Sequence, residues 1–365
     1  MKIEKKLWIT LFAFGMFAIC FSGWIFSQST VREKLFWDNT IKCETKELTD
    51  GEIKSENIAL PKDFNVPKSI LFKTTHTIAE VWLDGEKIYE YGNEEDAPSF
   101  MKSPGSCWHI VDIPEGSAGK SLEVRIIPVY DNYYGNEVSI AYGTRGDCIL
   151  KILTDSFKTL LLSCGILFAS IICLLLYLGA VRRKRRDKTE AKIEIFLNLG
   201  FFSLLIAVWT LAQCGFRQFL IPDGRTLYFV EYFSFFLFPV PFNFLLYDIC
   251  KSRYHKGALI FPTLYLVNMA GDVLLQCTGI IDIFRMLPVT HVIMVANAVY
   301  IVVLILYEAR KEGNDEAKKF QYPMCALIVF GMAEMFLYYL RKFQQTSILL
   351  PTGTLLFIIM LIWIQ

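Results

Sequence analysis

The most constraining feature of the sequence is an apolar run from Ser156 to Ala180 that is followed directly by a basic block. About 25 residues of α-helix, at ~1.5 Å rise per residue, cross a hydrocarbon layer of ~30 Å with some tilt to spare. Cytoplasmic flanks of spanning helices carry an excess of lysine and arginine, so the block predicts a cytoplasmic anchor. A basic amphipathic or nucleic-acid-binding segment is the alternative interpretation. The block consists of Arg182, Arg183, Lys184, Arg185, Arg186 and Lys188.

The composition indicates an integral membrane protein. Of the 365 residues, 54% are apolar and only 20% are charged. A soluble chain of this length carries more charge and fewer long apolar runs. The clustered basic residues lie at the predicted cytoplasmic surface of the membrane, which leaves no basic face to bind nucleic acid. The expected partner is therefore a lipid bilayer, and nucleic acid is excluded.

Six further apolar runs follow the first and predict a seven-helix transmembrane bundle over residues 156–365. Basic residues cluster after the runs that end at residues 250 and 308, which places both loops in the cytoplasm. Arg341 and Lys342 are the exception to this pattern. The seven predicted helices cover residues 156–180, 193–214, 227–250, 258–279, 287–308, 321–340 and 346–365.

The N-terminal residues 1–27 predict one more spanning helix. Lysines precede an apolar stretch from Leu7 to Phe26, as in a signal peptide. The apolar core of a signal peptide is typically 7–15 residues and ends in a small-residue cleavage site. This stretch is longer and rich in aromatic residues, which favours an uncleaved signal anchor. Both termini are then expected in the cytoplasm of a multi-pass cell-membrane protein.

Residues 28–155 differ in kind, because short alternating runs replace the long apolar ones. Such runs separated by turn residues predict strands, and Asp84-Gly85 between two of them predicts a tight hairpin. Many short strands with frequent turns favour an extracellular β-sandwich or jelly roll. The predicted strands cover residues 69–75, 78–83, 87–91, 108–113 and 121–127.

Cysteine usage does not indicate a disulfide scaffold or a metal site. Of the ten cysteines, Cys43, Cys107 and Cys148 lie in the polar segment, which permits one disulfide at most there. No cysteine and histidine spacing is typical of zinc, so no metal is expected.

The last run ends at Gln365 without a charged flank, although spanning helices normally carry polar anchors at the membrane surface. We therefore expect a cytoplasmic domain after residue 365. The alternative is a natural terminus at the membrane surface.

Several segments give the chain a resemblance to a known family. They are residues 76–89, Tyr91-Gly92, 104–109 and 119–122 in the polar segment, and residues 202–209, 237–242, 274–279 and Thr290-His291 in the membrane part. With this domain order, the chain resembles the bacterial seven-transmembrane receptors with diverse intracellular signalling modules. More narrowly, it is similar to the receptor half of membrane-bound GGDEF diguanylate cyclases, whose ectodomains are galactose-binding-like.

The resemblance implies a signal-transduction receptor that controls a cytoplasmic enzyme making cyclic di-GMP. The GG(D/E)EF loop of that enzyme is absent from the chain, so no catalytic residue and no cofactor are expected within it. GTP and Mg²⁺ are implied only for an output domain after Gln365. A homodimer is a further implied partner, because such cyclases work as pairs.

Two groups of residues are candidate sites. Tyr133, Tyr134, Trp108 and His109 are candidates to bind an extracellular small molecule or carbohydrate, since aromatic residues in loops often bind ligands. The alternative is that the strand residues among them fill the sandwich. Ionisable residues within spanning helices usually face the bundle interior or water, which predicts an intramembrane pocket or polar network. Its members are Glu231, Asp272, Gln276, His291, Asn297 and Glu334.

The function that these features favour is a receptor for an extracellular ligand. A polytopic transporter and a membrane enzyme with an extracellular binding domain are the alternatives. Pro239 and Pro241 within one run predict a kink, which serves either as a hinge or only in packing. Neither an H-E-x-x-H nor a G-x-S-x-G motif is present, which counts against an enzyme.

Overall fold

The computed structural model describes residues 40–41, 54–59, 68–93, 97–130, 138, 140–187, 193–340 and 348–364. The predicted anchor helix 1–27, the candidates Tyr133 and Tyr134, and Lys188 lie outside these residues. The chain divides into a β unit and a helical unit. The β unit comprises residues 23–157 and 215–228, and the helical unit comprises residues 1–22, 158–214 and 229–365.

The described part of the β unit contains two antiparallel sheets of four strands each. The strand order is β1-β8-β3-β6 in one sheet and β2-β7-β4-β5 in the other. The strands are β1 (Thr40–Ile41), β2 (Lys54–Ala59), β3 (Lys68–Thr75), β4 (Thr77–Leu83), β5 (Glu86–Tyr91), β6 (Ser106–Ile113), β7 (Ser121–Pro128) and β8 (Ile140–Gly143).

The two sheets share one hydrophobic core, because successive side chains of a strand point to opposite faces. In β4, Ala79, Val81 and Leu83 are buried and alternate with half-buried residues. In β3, Phe72 is fully buried in the same cluster. Burial of alternate residues on both sheets stabilises the unit by roughly 1.5–3 kcal/mol for each large apolar side chain.

The five predicted strands and the predicted hairpin are present. Asp84 and Gly85 join β4 to β5 with φ angles of 47° and 85°. Positive φ at both central residues is the type I′ geometry that matches the twist of paired strands. The assignment of the β unit to a jelly roll or a galactose-binding-like domain stays a prediction.

Six described helical segments are long and apolar enough to cross a membrane. This confirms the membrane character of the chain, whereas its orientation and a seventh crossing stay predictions, because the last apolar helix is shorter. The helices are α1 (Arg145–Asp187), α2 (Glu194–Gln213), α3 (Gly224–Leu237), α4 (Pro239–Ile249), α5 (Ile260–Cys277), α6 (Ile283–Arg310), α7 (Asp315–Leu340) and α8 (Leu349–Ile364). The two short 3₁₀-helices are Gly215–Phe219 and His255–Leu259.

The helical unit has a buried aromatic core and an apolar exterior. Phe202 contacts the rings of Phe238, Phe242 and Phe357. Many β-branched residues on the outside of α5 and α6 are exposed, and Val292 is 69% exposed. An apolar surface of this kind is unfavourable in water, which is consistent with a lipid environment.

The proline pair interrupts one spanning segment without unwinding it. Pro239 and Pro241 lie in the first turn of α4, where a missing backbone N–H costs least. Phe238, between α3 and α4, keeps helical angles, and its N–H donates to the carbonyl of Ser234 at 3.1 Å. A helix boundary therefore lies at the proline pair, while the predicted kink and its hinge role stay predictions.

Candidate functional site

The segment 215–228 joins α2 to α3 and belongs to the β unit. Arg217 Nη2 donates to the carbonyl of Ser106 at 2.8 Å. The carboxamide Oε1 of Gln218 accepts the backbone N–H of Trp108 at 3.0 Å. Both acceptor and donor lie at the start of β6, so the segment pairs with that strand through side chains.

Close backbone approach at two glycines completes the fit. A Cβ on Gly224 would lie 2.7 Å from the carbonyl oxygen of Pro104 and 2.2 Å from the hydroxyl of Tyr91. A Cβ on Gly105, which has a φ of +83°, would lie 2.2 Å from the carbonyl oxygen of Gly224. Any larger residue at either position would push the segment off the β unit. Arg225 Nη2 adds a hydrogen bond of 3.1 Å to the carbonyl of Asn93.

His76 contacts Tyr228 of this segment and is 2% exposed. Its Nδ1 is 2.7 Å from the hydroxyl of Ser103, and its ring meets the rings of Tyr130 and Tyr228 edge-on. A φ of 52° is uncommon for a residue with a Cβ. Burial, and then the nearby charge of Arg217, lower the pKa of His76 from 6.5 to about 3. The histidine is therefore a neutral part of the packing at neutral pH.

The two described ligand candidates are both used inside the β unit. His109 is 1% exposed, with Nε2 2.6 Å from the hydroxyl of Thr74 and Nδ1 3.0 Å from that of Tyr89. Burial lowers its pKa to about 3. Trp108 packs on a small cluster that includes Leu71 and Ile152. Neither forms an open aromatic platform, so a ligand site built on them stays a prediction without a described geometry.

The helical unit contains a cavity of about 160 Å³. Four of the six predicted intramembrane residues line it: Glu231, His291, Asn297 and Glu334. Most of the remaining wall is aromatic or aliphatic. An apolar pocket with a few convergent polar groups is the usual form of a small-molecule site.

Two rungs of side chains connect α2 and α3 at this cavity. In the polar rung, Gln213 Nε2 donates to Glu231 Oε1 at 3.1 Å. One helical turn away, the rings of Trp209 and Phe235 lie 5.4 Å apart. Residues four apart share a helix face, so the carboxylate and the aromatic pair both face the cavity. His291 extends the aromatic rung, with its ring 5.8 Å from that of Phe235.

Asn297 forms a reciprocal pair with Asn243. Each carboxamide donates to the other, at 2.8 and 2.9 Å, and the pair is fully buried. The hydroxyl of Tyr265 also donates to Asn297 Oδ1 at 3.3 Å. Paired amides avoid the cost of an unsatisfied polar group in an apolar interior.

Glu334 is used structurally as well as lining the cavity. Its Oε2 accepts the backbone N–H groups of Leu349 and Leu350, at 2.6 and 3.2 Å. These are donors of the first turn of α8 that have no partner within the helix. The carboxylate therefore caps α8 and complements the positive end of its dipole.

Asp272 and Gln276 lie on α5 and take part in hydrogen bonds that reach the first part of α6 or the residue before it. Asn268 Nδ2 donates both to Asp272 Oδ2 and to the hydroxyl of Thr290, each at 2.9 Å. Gln276 donates to Asp282 at 3.0 Å and accepts the backbone N–H of Ile283. Gln276 therefore fixes the start of α6, and the cavity lining includes neither Asp272 nor Gln276.

Sequence reasoning missed the packing role of Arg217, Gln218 and His76. Gly215 and Gly224 within the segment were the available signal, because a Cβ at either position would lie less than 3 Å from atoms of the β unit. The thiols of Cys107 and Cys148 are free, and Cys43 lies outside the described residues. Within the part of the chain that the structure describes, no group of three or more histidine, cysteine or acidic residues is placed to hold a metal ion.

Comparison with known proteins leaves the family open. No family model, no curated protein and no solved structure matches the chain. The resemblance to receptors with intracellular signalling modules therefore stays a prediction.

Proposed function

We propose that the chain is the receptor part of a membrane signalling protein. A ligand of the β unit, of small-molecule or carbohydrate type, biases the packing of the spanning helices. The bias is passed to a cytoplasmic output domain, for which the sequence resemblance suggests a GGDEF diguanylate cyclase. A ligand shifts such an equilibrium only by its difference in affinity for the two states.

The observation that carries this proposal is the incorporation of segment 215–228 into the β unit. The segment is continuous with α2 at one end and with α3 at the other. Arg217, Gln218 and Arg225 bind it to backbone groups of the β unit rather than to flexible side chains. A rearrangement of the strand that bears Ser106 and Trp108 therefore displaces segment 215–228, which connects two spanning helices.

The proposal is tested by releasing the segment in the intact natural protein. Arg217→Gln combined with Gln218→Ala removes two of the hydrogen bonds to β6. Leu220→Gln in the same segment is the matched control, because Leu220 is 64% exposed. We expect the double variant to shift the basal cellular level of cyclic di-GMP severalfold, in either direction, at equal protein abundance.

Equal cyclic di-GMP levels in the double variant, the control and the wild type would refute transmission through this segment. A control that shifts as much as the double variant would do the same, because any change in the loop would then suffice. A cell whose cyclic di-GMP does not depend on the gene at all would refute the output part of the proposal.

A transporter is the second candidate, since one observation favours it. Phe238 and Pro239, at the break between α3 and α4, both line the cavity. Interrupted helices at a binding site near the bilayer centre are typical of transporters. Flux of a bound solute into proteoliposomes would favour this candidate over the receptor.

A further inference from the structure

The cavity of the helical unit has a chemical asymmetry that defines the kind of molecule it fits. Two carboxylates, Glu231 and Glu334, face it, and none of the described lining residues is a lysine or an arginine. Glu334 is already engaged in capping α8. Glu231 is 6% exposed and accepts a hydrogen bond from the carboxamide of Gln213.

The wall next to Glu231 is rich in π-electron faces. Trp209 and Phe235 form the aromatic rung one turn from the carboxylate, and Tyr232 and Tyr338 also line the cavity. Cations are attracted to the faces of aromatic rings, most strongly to tryptophan and most of all where water is excluded. Met294 and Met335 add polarizable side chains that adapt to an aromatic ligand.

We propose that this cavity binds a small organic ammonium ion with an aromatic or short alkyl body. The ammonium group pairs with the Glu231 carboxylate, and the apolar body packs on Trp209 and Phe235. This inference concerns a second site and does not depend on the receptor function proposed for the β unit.

The volume limits the size of the ligand. An engineered apolar cavity of ~150 Å³ in another protein holds one benzene molecule. At about 160 Å³, this cavity accommodates a single six-membered ring with a short substituent. Longer lipids and disaccharides are too large to enter it whole.

Charge excludes the other small ligands of this size. An anion such as a short carboxylate has no lysine or arginine to pair with among the described lining residues. A neutral hydrocarbon offers the carboxylate neither a charge nor a hydrogen-bond donor. A cation of the same shape offers an ion pair and the ring contacts.

Three probes of one shape and different charge test the proposal on the full chain in lipid nanodiscs. They are benzylammonium, neutral benzyl alcohol and benzoate, all at neutral pH. Binding is followed through quenching of Trp209 fluorescence, taken as the difference between wild type and Trp209→Phe. We expect benzylammonium to bind at least ten times more tightly than benzyl alcohol, and benzoate not to bind.

Glu231→Gln removes the charge and keeps the shape of the side chain. It is expected to weaken benzylammonium binding at least tenfold and to leave benzyl alcohol binding unchanged. Glu312→Gln is the matched control, because Glu312 is exposed and does not line the cavity. This control should bind all three probes as wild type does.

Equal affinity for benzylammonium and benzyl alcohol in the wild type would overturn the proposal, and so would an unaltered affinity in Glu231→Gln. If Glu231→Gln does not yield a folded protein by size-exclusion chromatography, the series of three probes on the wild type decides alone. These outcomes do not depend on any cyclic di-GMP measurement, so the two proposals fail separately.

Discussion

The two buried histidines of the β unit predict a specific acid lability. His76 and His109 are both neutral in the folded state, since burial lowers the pKa of each from 6.5 to about 3. In the unfolded chain each histidine regains a pKa near 6.5 and takes up a proton more readily. Folding therefore loses stability as the pH falls below 6.5, and the loss levels off near pH 3.

The magnitude follows from the size of the pKa shift. Each pH unit between the two pKa values costs about 1.4 kcal/mol for each histidine. From pH 7 to pH 5 the unfolded state gains about 2 kcal/mol from each, or roughly 4 kcal/mol from both. This is a large share of the 5–15 kcal/mol by which domains are usually stable.

Hydrogen exchange of the full chain, read by mass spectrometry and corrected for the intrinsic exchange rate at each pH, measures this loss. Peptides from β3 and β6 should lose about 4 kcal/mol of opening free energy between pH 7 and pH 5. His109→Gln removes one titrating group and keeps a side chain able to bond the hydroxyls of Thr74 and Tyr89. It should halve the slope with pH. A wild-type opening free energy that is constant over this range, or an equal slope in His109→Gln, would refute the reasoning.

Three further predictions concern packing. Asn243→Leu or Asn297→Leu alone should destabilise the helical unit by about 1–3 kcal/mol, because the remaining carboxamide loses the two hydrogen bonds of the pair, whereas the double variant should approach wild type in thermal unfolding. Glu334→Ala should raise hydrogen exchange in the first turn of α8 severalfold, through a capping loss of about 0.5–2 kcal/mol, and unchanged exchange there would contradict the capping role. Gly224→Ala should destabilise the β unit by about 1–3 kcal/mol in thermal unfolding through overpacking, while Gly271→Ala, where nothing lies within 4 Å, should leave the unfolding temperature at or above that of wild type.

Periodicity predicts the helices and strands of this chain well, because water and lipid each impose a simple pattern of polar and apolar residues. Strand β7 alternates Leu122, Val124 and Ile126 with polar residues, and the spanning helices are continuous apolar runs. Strand β2, with the sequence Lys-Ser-Glu-Asn-Ile-Ala, has apolar residues only at its last two positions. Its place in the sheet comes from pairing with β7, which a local pattern does not reveal.

The apolar run predicts a later start for α1 than the structure shows, although the signal for the true start is present in the sequence. The apolar run begins at Ser156, whereas the helix begins at Arg145. Thr144 and Asp147 form a reciprocal capping arrangement: the N–H of Thr144 donates to the Asp147 carboxylate at 3.0 Å, and the N–H of Asp147 donates to the Thr144 hydroxyl at 3.2 Å. This is the capping box pattern, with aspartate in the place of glutamate. Hydropathy marks only the part of a helix that meets lipid.

The site residues divide according to how far their partners lie in sequence. An ionisable or amide residue within an apolar run indicates a polar contact by itself, and Glu231, His291, Asn297 and Glu334 do line one cavity. The identity of each partner depends on tertiary structure, as in the pairing of Gln213 with Glu231 across α2 and α3. The side chain of His109 points inward from its strand and is part of the core, although histidine is a common residue in functional sites.

Helix α3 provides a last prediction, because it carries residues of both proposals. Tyr228 packs on His76 in the β unit, and Glu231, three residues later on the same helix, lines the cavity. Residues three apart are neighbours on a helix surface, so a rotation of α3 displaces both side chains together. Coupling between two sites is reciprocal and typically changes affinity by 5–150-fold.

The combined variant Arg217→Gln and Gln218→Ala should therefore change the affinity of the cavity for benzylammonium at least fivefold, although neither residue lines it. Saturating benzylammonium should in turn change the hydrogen exchange of β6 in wild type, and not in Glu231→Gln. An affinity equal to that of wild type in the combined variant, with unchanged exchange in β6, would show that α3 does not connect the two sites.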